Sequence, residues 1–285
     1  MTFPLFGTDI AVYGVIVAFS ILAAFVTGLI IFKVLNWKED IAFLIVLLCV
    51  PAGIILARFY YVIFSLDEFR GASFFEIINP RGGGMAIYGG IIGGALGLFA
   101  VARIKKVGFF ALADIGAICL ILAQAIGRWG NFVNQEAYGL LVSKHVPPFT
   151  VLIDDCHYCL TQGCAHLATY LYESVLSLIG FGVLLFLFFH LRKKGKYNIG
   201  TISGAYLIWY GVTRAIIEPL RTDSLLMFGS NAIVFNRVSF MLSIALIAIG
   251  VLILIAAKKK WISQEYEGCL KDKKTNKSEA TKTDT

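Results

Sequence analysis

The chain has 285 residues, 58% of them hydrophobic and only 15% charged, with a mean hydropathy of +0.80. That balance excludes an ordinary soluble domain, whose charged share is about a quarter, and equally excludes a disordered polar chain. The net charge of +7 does not mark a nucleic-acid partner. The surplus Lys and Arg lie between apolar runs and in the C-terminal tail, where membrane orientation and anionic lipid account for them.

The expectation is an all-α integral membrane protein, a bundle of seven transmembrane helices over residues 1–258. A spanning helix takes roughly 20 apolar residues, and such runs fall at about 11–32, 41–64, 86–102, 109–127, 170–190, 200–220 and 234–257. The first carries Tyr13 and Gly14 near its start. No basic segment precedes it and no small-residue cleavage site closes it, so it reads as a retained helix. The second contains Cys49, a packing residue by its setting, and places Arg58 late in LARFYYV. After an outer loop over about 65–85, the third opens in RGGGMAIYGGIIGGALG. There Gly89 and Gly93, Gly90 and Gly94, and Gly93 and Gly97 are four apart, the small-residue spacing that lets helix backbones approach. Packing explains these glycines but not Tyr88 among them, for which an aromatic-belt position at the interface is the plain alternative.

The fourth run, with Cys119 as a second packing cysteine, is closed by Arg128 in GRWGNFVNQEAYG. The long outer loop that follows, about 128–169, holds CHYCLTQGCAH, in which Cys156, Cys159 and Cys164 stand with His157 and His166. A metal could use such ligands and a disulfide could form outside the cytoplasm, but the spacing matches no zinc pattern and no metal is assigned. The sixth run carries WYGVTRAIIEPLR, in which Tyr210, Arg214, Glu218 and Arg221 recur at helical spacing on one face. The tail, 259–285, is polar, Lys-rich and expected to be disordered.

Orientation follows from the basic residues. Lys33 and Lys38, Arg103 to Lys106, Arg192 to Lys196 and the tail fall on one side, which the positive-inside rule makes cytoplasmic, leaving the N-terminus outside. Arg58, Arg128, Arg214 and Arg221 then share the outer half of the bilayer. Ionisable groups at that depth are costly and mark function by default. The bland reading pairs Arg214 with Glu218 and lets the others snorkel to the headgroups. Four cations against one nearby Glu218 leave excess charge, however, and guanidinium groups bind phosphate through paired hydrogen bonds. The residues alone favour a pocket for a phosphate-bearing molecule, with a phospholipid headgroup the obvious candidate.

At GRWGNFVNQEAYG the chain resembles the bacterial prolipoprotein diacylglyceryl transferases, whose signature is GR-x-GNF-x-N-x-E-x-x-G. It matches without a gap at Gly127, Arg128, Gly130, Asn131, Phe132, Asn134, Glu136 and Gly139. The resemblance covers nearly the whole membrane portion, including Tyr13 and Gly14, AR-x-YYV, GGMAIYGG, LYES at 171–174 and YG-x-x-R-x-x-x-E-x-x-R; the seven-helix arrangement agrees with it. It implies transfer of the diacylglyceryl group of phosphatidylglycerol to the lipobox cysteine of a prolipoprotein signal peptide, in the bacterial plasma membrane at the outer leaflet, with no cofactor.

By the same resemblance Arg128 binds the phosphatidylglycerol phosphate and Arg214 stabilises the departing glycerol phosphate, its geometry fixed by Glu218 and Arg221. Asn131, Asn134 and Glu136 position the headgroup glycerol, and Tyr13 and Arg58 belong to the substrate site. Tyr88 departs from part of the family, in which many members carry histidine as a proposed general base. An ordinary tyrosine has a pKa near about 10, so Tyr88 acts as base only if arginines favour its phenolate; otherwise it orients the headgroup or relays a proton. A second departure is HLATYLYES in place of HPT-x-LYES, so no role passes to His166. Two other classes compete: a transporter, which would usually show inverted repeats that are absent from this sequence, and a structural membrane protein, which would need more acids to match its arginines.

Overall fold

The computed structural model describes residues 2–5, 8–79, 84–144, 146–153, 164–222, 238–264 and 269–270, with side chains from residue 12 onward except at Phe74. The chain opens with a hairpin of β1 (Thr2–Leu5) and β2 (Thr8–Ala11), paired antiparallel, which the apolar periodicity does not announce. The helices are α1 (Val12–Val34), α2 (Glu39–Phe64), the short α3 (Phe74–Ile78), α4 (Ile87–Lys105), α5 (Phe109–Val133), α6 (Thr169–Lys193), α7 (Thr201–Ile217) and α8 (Val238–Lys258). Three short strands, β3 (Leu141–Val142), β4 (Thr150–Val151) and β5 (Ala165–Leu167), form an antiparallel sheet in the order β3-β5-β4 within the long loop.

Among the described residues, α1, α2, α4, α5, α6 and α8 are long and apolar enough to cross a membrane. Six of the seven expected runs coincide with these helices. The sixth run, expected over about 200–220, stops as a helix at Ile217 after 17 residues and tightens into a 3-10 turn, Glu218–Leu220. Pro219 accounts for the stop: it has no N–H to donate to the carbonyl four residues earlier, and its ring crowds that carbonyl, although Glu218 before it keeps α geometry. In the opposite sense, α5 runs beyond its expected end at 127 to Val133, so Arg128 sits inside the helix.

The chain falls into two compact units, one of residues 1–27 and 114–263, the other of 28–113 and 264–285. The second is built on α2 against α4. Gly89, Gly93 and Gly97 are all buried on one face of α4. A Cβ on Gly89 would strike the Leu56 carbonyl, one on Gly93 the Ala52 carbonyl, and one on Gly97 would lie 2.8 Å from Cys49 Cα. Gly94 faces open space, so only one of the glycine rows forms the seam. In this unit Lys38 N–H donates to the Cys269 carbonyl at 2.6 Å, and Trp37 bridges to Leu270. Of the tail expected to be disordered, residues 265–268 and 271–285 lie outside the described residues.

In the first unit, the start of α7 is pinned by Asp114 on α5. Its carboxylate is fully buried and accepts from Tyr197 Oη (2.6 Å), Gly200 N (2.8 Å), Ser203 N (2.7 Å) and Ser203 Oγ (2.6 Å). A buried charge fully satisfied in this way is structural. Burial and the Asp114 carboxylate push the Tyr197 phenol well above its ordinary value. Ser174 Oγ donates to the Ala125 carbonyl at 2.8 Å and Trp209 Nε1 to the Leu176 carbonyl at 3.2 Å. These bonds hold α5, α6 and α7 together around one cleft.

Candidate active site

The signature segment carries the chain from α5 into the long loop. Asn134 N–H donates to the Gly130 carbonyl and Glu136 N–H to the Asn131 carbonyl, each at 3.0 Å, while Asn131 Nδ2 donates to Glu136 Oε1 at 3.1 Å. Two of its glycines are required by space. A Cβ on Gly130 would lie 2.8 Å from the Tyr13 ring; one on Gly139 would lie 2.8 Å from the Leu220 carbonyl and 2.7 Å from Leu167 Cβ. At Gly139 the chain threads between β5 and the turn after α7: its N–H donates to the Leu167 carbonyl at 2.9 Å, and it bridges to Arg221. Tyr13 thereby stands against Gly130, within electrostatic range of Glu136 and Arg128. Asn134 and Glu136 are exposed.

Arg128, Arg214 and Arg221 are brought together by a residue to which the sequence reading gave no role, Glu173. Its carboxylate pairs with Arg128 Nε, with Arg214 Nη1 at 2.9 Å and with Arg221 Nη1 at 3.5 Å. Arg214 also pairs with the fully buried Glu218 at 2.9 Å and reaches Ser239 Oγ at 3.3 Å. The expectation of four cations against Glu218 alone is thus corrected: a second carboxylate joins, and three arginines face two glutamates. The signal for Glu173 was present in LYES, an acid on an apolar helix, but its partners lie 41 and 45 positions away on α7 and on α5.

Arg128 spends Nε on Glu173, and its two terminal nitrogens meet no protein acceptor among the described residues. Arg128 lines a small cleft together with Gln124, Glu173, Ser177, Tyr210, Thr213 and Arg214. A guanidinium whose terminal nitrogens have no protein acceptor among the described residues can take an oxyanion such as a phosphodiester.

Tyr88 and Arg58 belong to the other unit. Arg58 is buried, and three of its nitrogens donate to backbone carbonyls of Ile77 (2.7 Å), Gly84 (3.0 Å) and Glu76 (2.9 Å), its Cζ 5.0 Å from the centroid of the Phe69 ring. It fastens the end of α2 to the loop that follows. Tyr88 lies in the first turn of α4, half-buried, its ring 6.2 Å from Tyr60. His166, assigned no role, holds the Gly139 carbonyl through Nδ1 at 2.8 Å. Cys156, His157 and Cys159 lie outside the described residues; Cys164 is buried at the entry to β5.

The profile described as prolipoprotein diacylglyceryl transferase matches residues 1–256. The chain belongs to this family. Among its relatives is a phosphatidylglycerol–prolipoprotein diacylglyceryl transferase of Finegoldia magna, 37% identical over 265 residues, which are 93% of this chain and 98% of that one. The enzyme of the same name from Enterococcus faecalis is 40% identical over 267 residues (91% and 90%), and that from Listeria monocytogenes serotype 4b is 39% identical over 254 (87% and 86%).

Proposed function

We propose that this chain transfers the diacylglyceryl group of phosphatidylglycerol to the lipobox cysteine thiol of prolipoprotein signal peptides, the first step of lipoprotein maturation. The observation that supports the reading on these residues is the guanidinium of Arg128, whose terminal nitrogens meet no protein acceptor among the described residues, beside Arg214 in one cleft. The thiol sulfur attacks the glyceryl carbon, forming the C–S bond of a thioether. The bond from that carbon to the phosphate oxygen breaks, its electron pair leaves with glycerol phosphate, and the thiol proton is released to a base or to that phosphate.

A phosphodiester carries one negative charge and becomes a monoester with more, so the charge to be stabilised grows as the C–O bond stretches. Arg128 binds the phosphate, and Arg214, oriented by Glu173 and Glu218, faces the growing charge in surroundings that need little reorganisation. Arg221 braces Glu173, while Asn131, Asn134 and Glu136 take the headgroup glycerol, with Tyr13 packed behind them. Tyr88 and Arg58 keep their roles from the family resemblance alone, Tyr88 as the residue that orients the headgroup or moves the proton. The reaction draws on no cofactor.

The same reading makes α7 a seventh span. Its 17 residues rise about 26 Å, near the short end for a crossing, and the 3-10 turn extends it. Residues 1–258 are then the catalytic body in the bacterial plasma membrane, with the N-terminus outside, the C-terminus cytoplasmic and the site toward the outer leaflet. The test is to incubate the purified protein in detergent with phosphatidylglycerol and a lipobox peptide. Thioether product together with released glycerol phosphate is expected; neither product from folded protein would refute the transferase.

A further inference from the structure

Beneath the charged cluster lies a second, uncharged polar tier. Gln124 precedes Arg128 by four residues on α5, Ser177 follows Glu173 by four on α6, and Tyr210 precedes Arg214 by four on α7. Each therefore stands one helical turn, about 6 Å, from a member of the cluster. In all three helices the step runs toward the middle of the helix, and all three residues line the same cleft. Much of their hydrogen-bonding capacity is not spent on the protein. Gln124 Nε2 donates to Tyr206 Oη at 2.9 Å, while its Oε1 is buried with no partner among the described residues. The hydroxyls of Ser177 and Tyr210 have none either.

Resting on the transferase reading, we infer that Gln124, Ser177 and Tyr210 form a subsite for an ester linkage of the diacylglyceryl group. A glycerophospholipid has the same order of chemistry along its length: a charged phosphate, then neutral ester oxygens on the neighbouring carbons, then hydrocarbon. With the phosphate at Arg128 and the chains in the bilayer, the esters fall at the tier one turn deeper. An ester carbonyl accepts hydrogen bonds, and the tier supplies donors in the two hydroxyls. The Gln124 amide supplies another, because the Tyr206 hydroxyl both donates and accepts. A half-turn of the amide keeps the bond to Tyr206 and presents Nε2 to the cleft. Leaving such groups unmatched in a membrane interior is costly, so the subsite favours a lipid that satisfies them.

The experiment compares phosphatidylglycerol bearing ester-linked chains with its dialkyl ether counterpart of the same chain length. Each is presented in detergent with a lipobox peptide, and kcat/KM is read from glycerol phosphate release. The wild-type protein is expected to prefer the ester lipid by about tenfold, the scale of one or two hydrogen bonds. Gln124→Leu should collapse that preference toward unity, and Ser177→Ala, a smaller change at a half-buried position, should narrow it. Equal wild-type rates on the two lipids would overturn the subsite while leaving the transferase standing, and so would a Gln124→Leu protein that keeps the wild-type preference. If the wild-type protein releases glycerol phosphate from neither lipid, the transferase reading falls and the subsite with it.

Discussion

Arg128 divides one guanidinium between two tasks. Its Nε lies in ion-pair contact with Glu173, its terminal nitrogens meet no protein acceptor among the described residues, and the side chain lines the cleft. Lysine could supply the charge but not both tasks, since an ammonium has no rigid fork. Arg128→Ala should lower kcat/KM by about 10²–10³ with the melting temperature little changed, and Arg128→Lys should recover only a small part; both are read by glycerol phosphate release. Tyr88→Phe should keep partial activity, as expected of a residue that orients the headgroup; complete loss in a folded variant would assign the proton transfer to its hydroxyl. The arginines at 128, 214 and 221 could be named from the sequence because charge stands out against an apolar background. Glu173 stood out in the same way, yet its task could not be read: an acid acquires a role only from what surrounds it, and its partners come from other helices. Arg58 teaches the converse, since its cost in the membrane is met by three backbone carbonyls.

At the scale of elements, the α2 and α4 contact depends on one row of glycines. Gly93 sits against the Ala52 carbonyl, whereas Gly94 has nothing within 4 Å of where a Cβ would stand. Gly93→Leu should prevent close approach and destabilise the unit by about 3 kcal/mol or more, while Gly94→Leu should leave the melting temperature in detergent near the wild-type value. Equal effects would contradict the packing described. Both glycine rows were visible in the sequence as small residues four apart; which one forms the seam depends on the rotation of α4, and that is set by its partner. The sixth run was read through Pro219, past the helix end at Ile217, and the β3-β5-β4 sheet, whose strands are two or three residues long, has too short a pattern to detect.

For the whole molecule, orientation can be tested directly. In a cysteine-free background, Lys194→Cys in the basic loop after α6 should react with an impermeant maleimide only once the membrane is permeabilised, and Lys144→Cys in the long loop should react in intact cells. The reverse pattern would place the cleft toward the cytoplasm. Hydropathy, the placement of Lys and Arg and the GRWGNFVNQEAYG signature determined by themselves that this is a membrane protein of the diacylglyceryl transferase family, because each is a local property of the chain. Only the tertiary structure decided that Glu173 gathers three arginines, that Arg58 ties down a loop, that Cys269 and Leu270 dock beside Trp37, and that a neutral tier underlies the charged one. Each of those depends on side chains or backbone groups from separate segments meeting in space, and local composition does not determine such meetings.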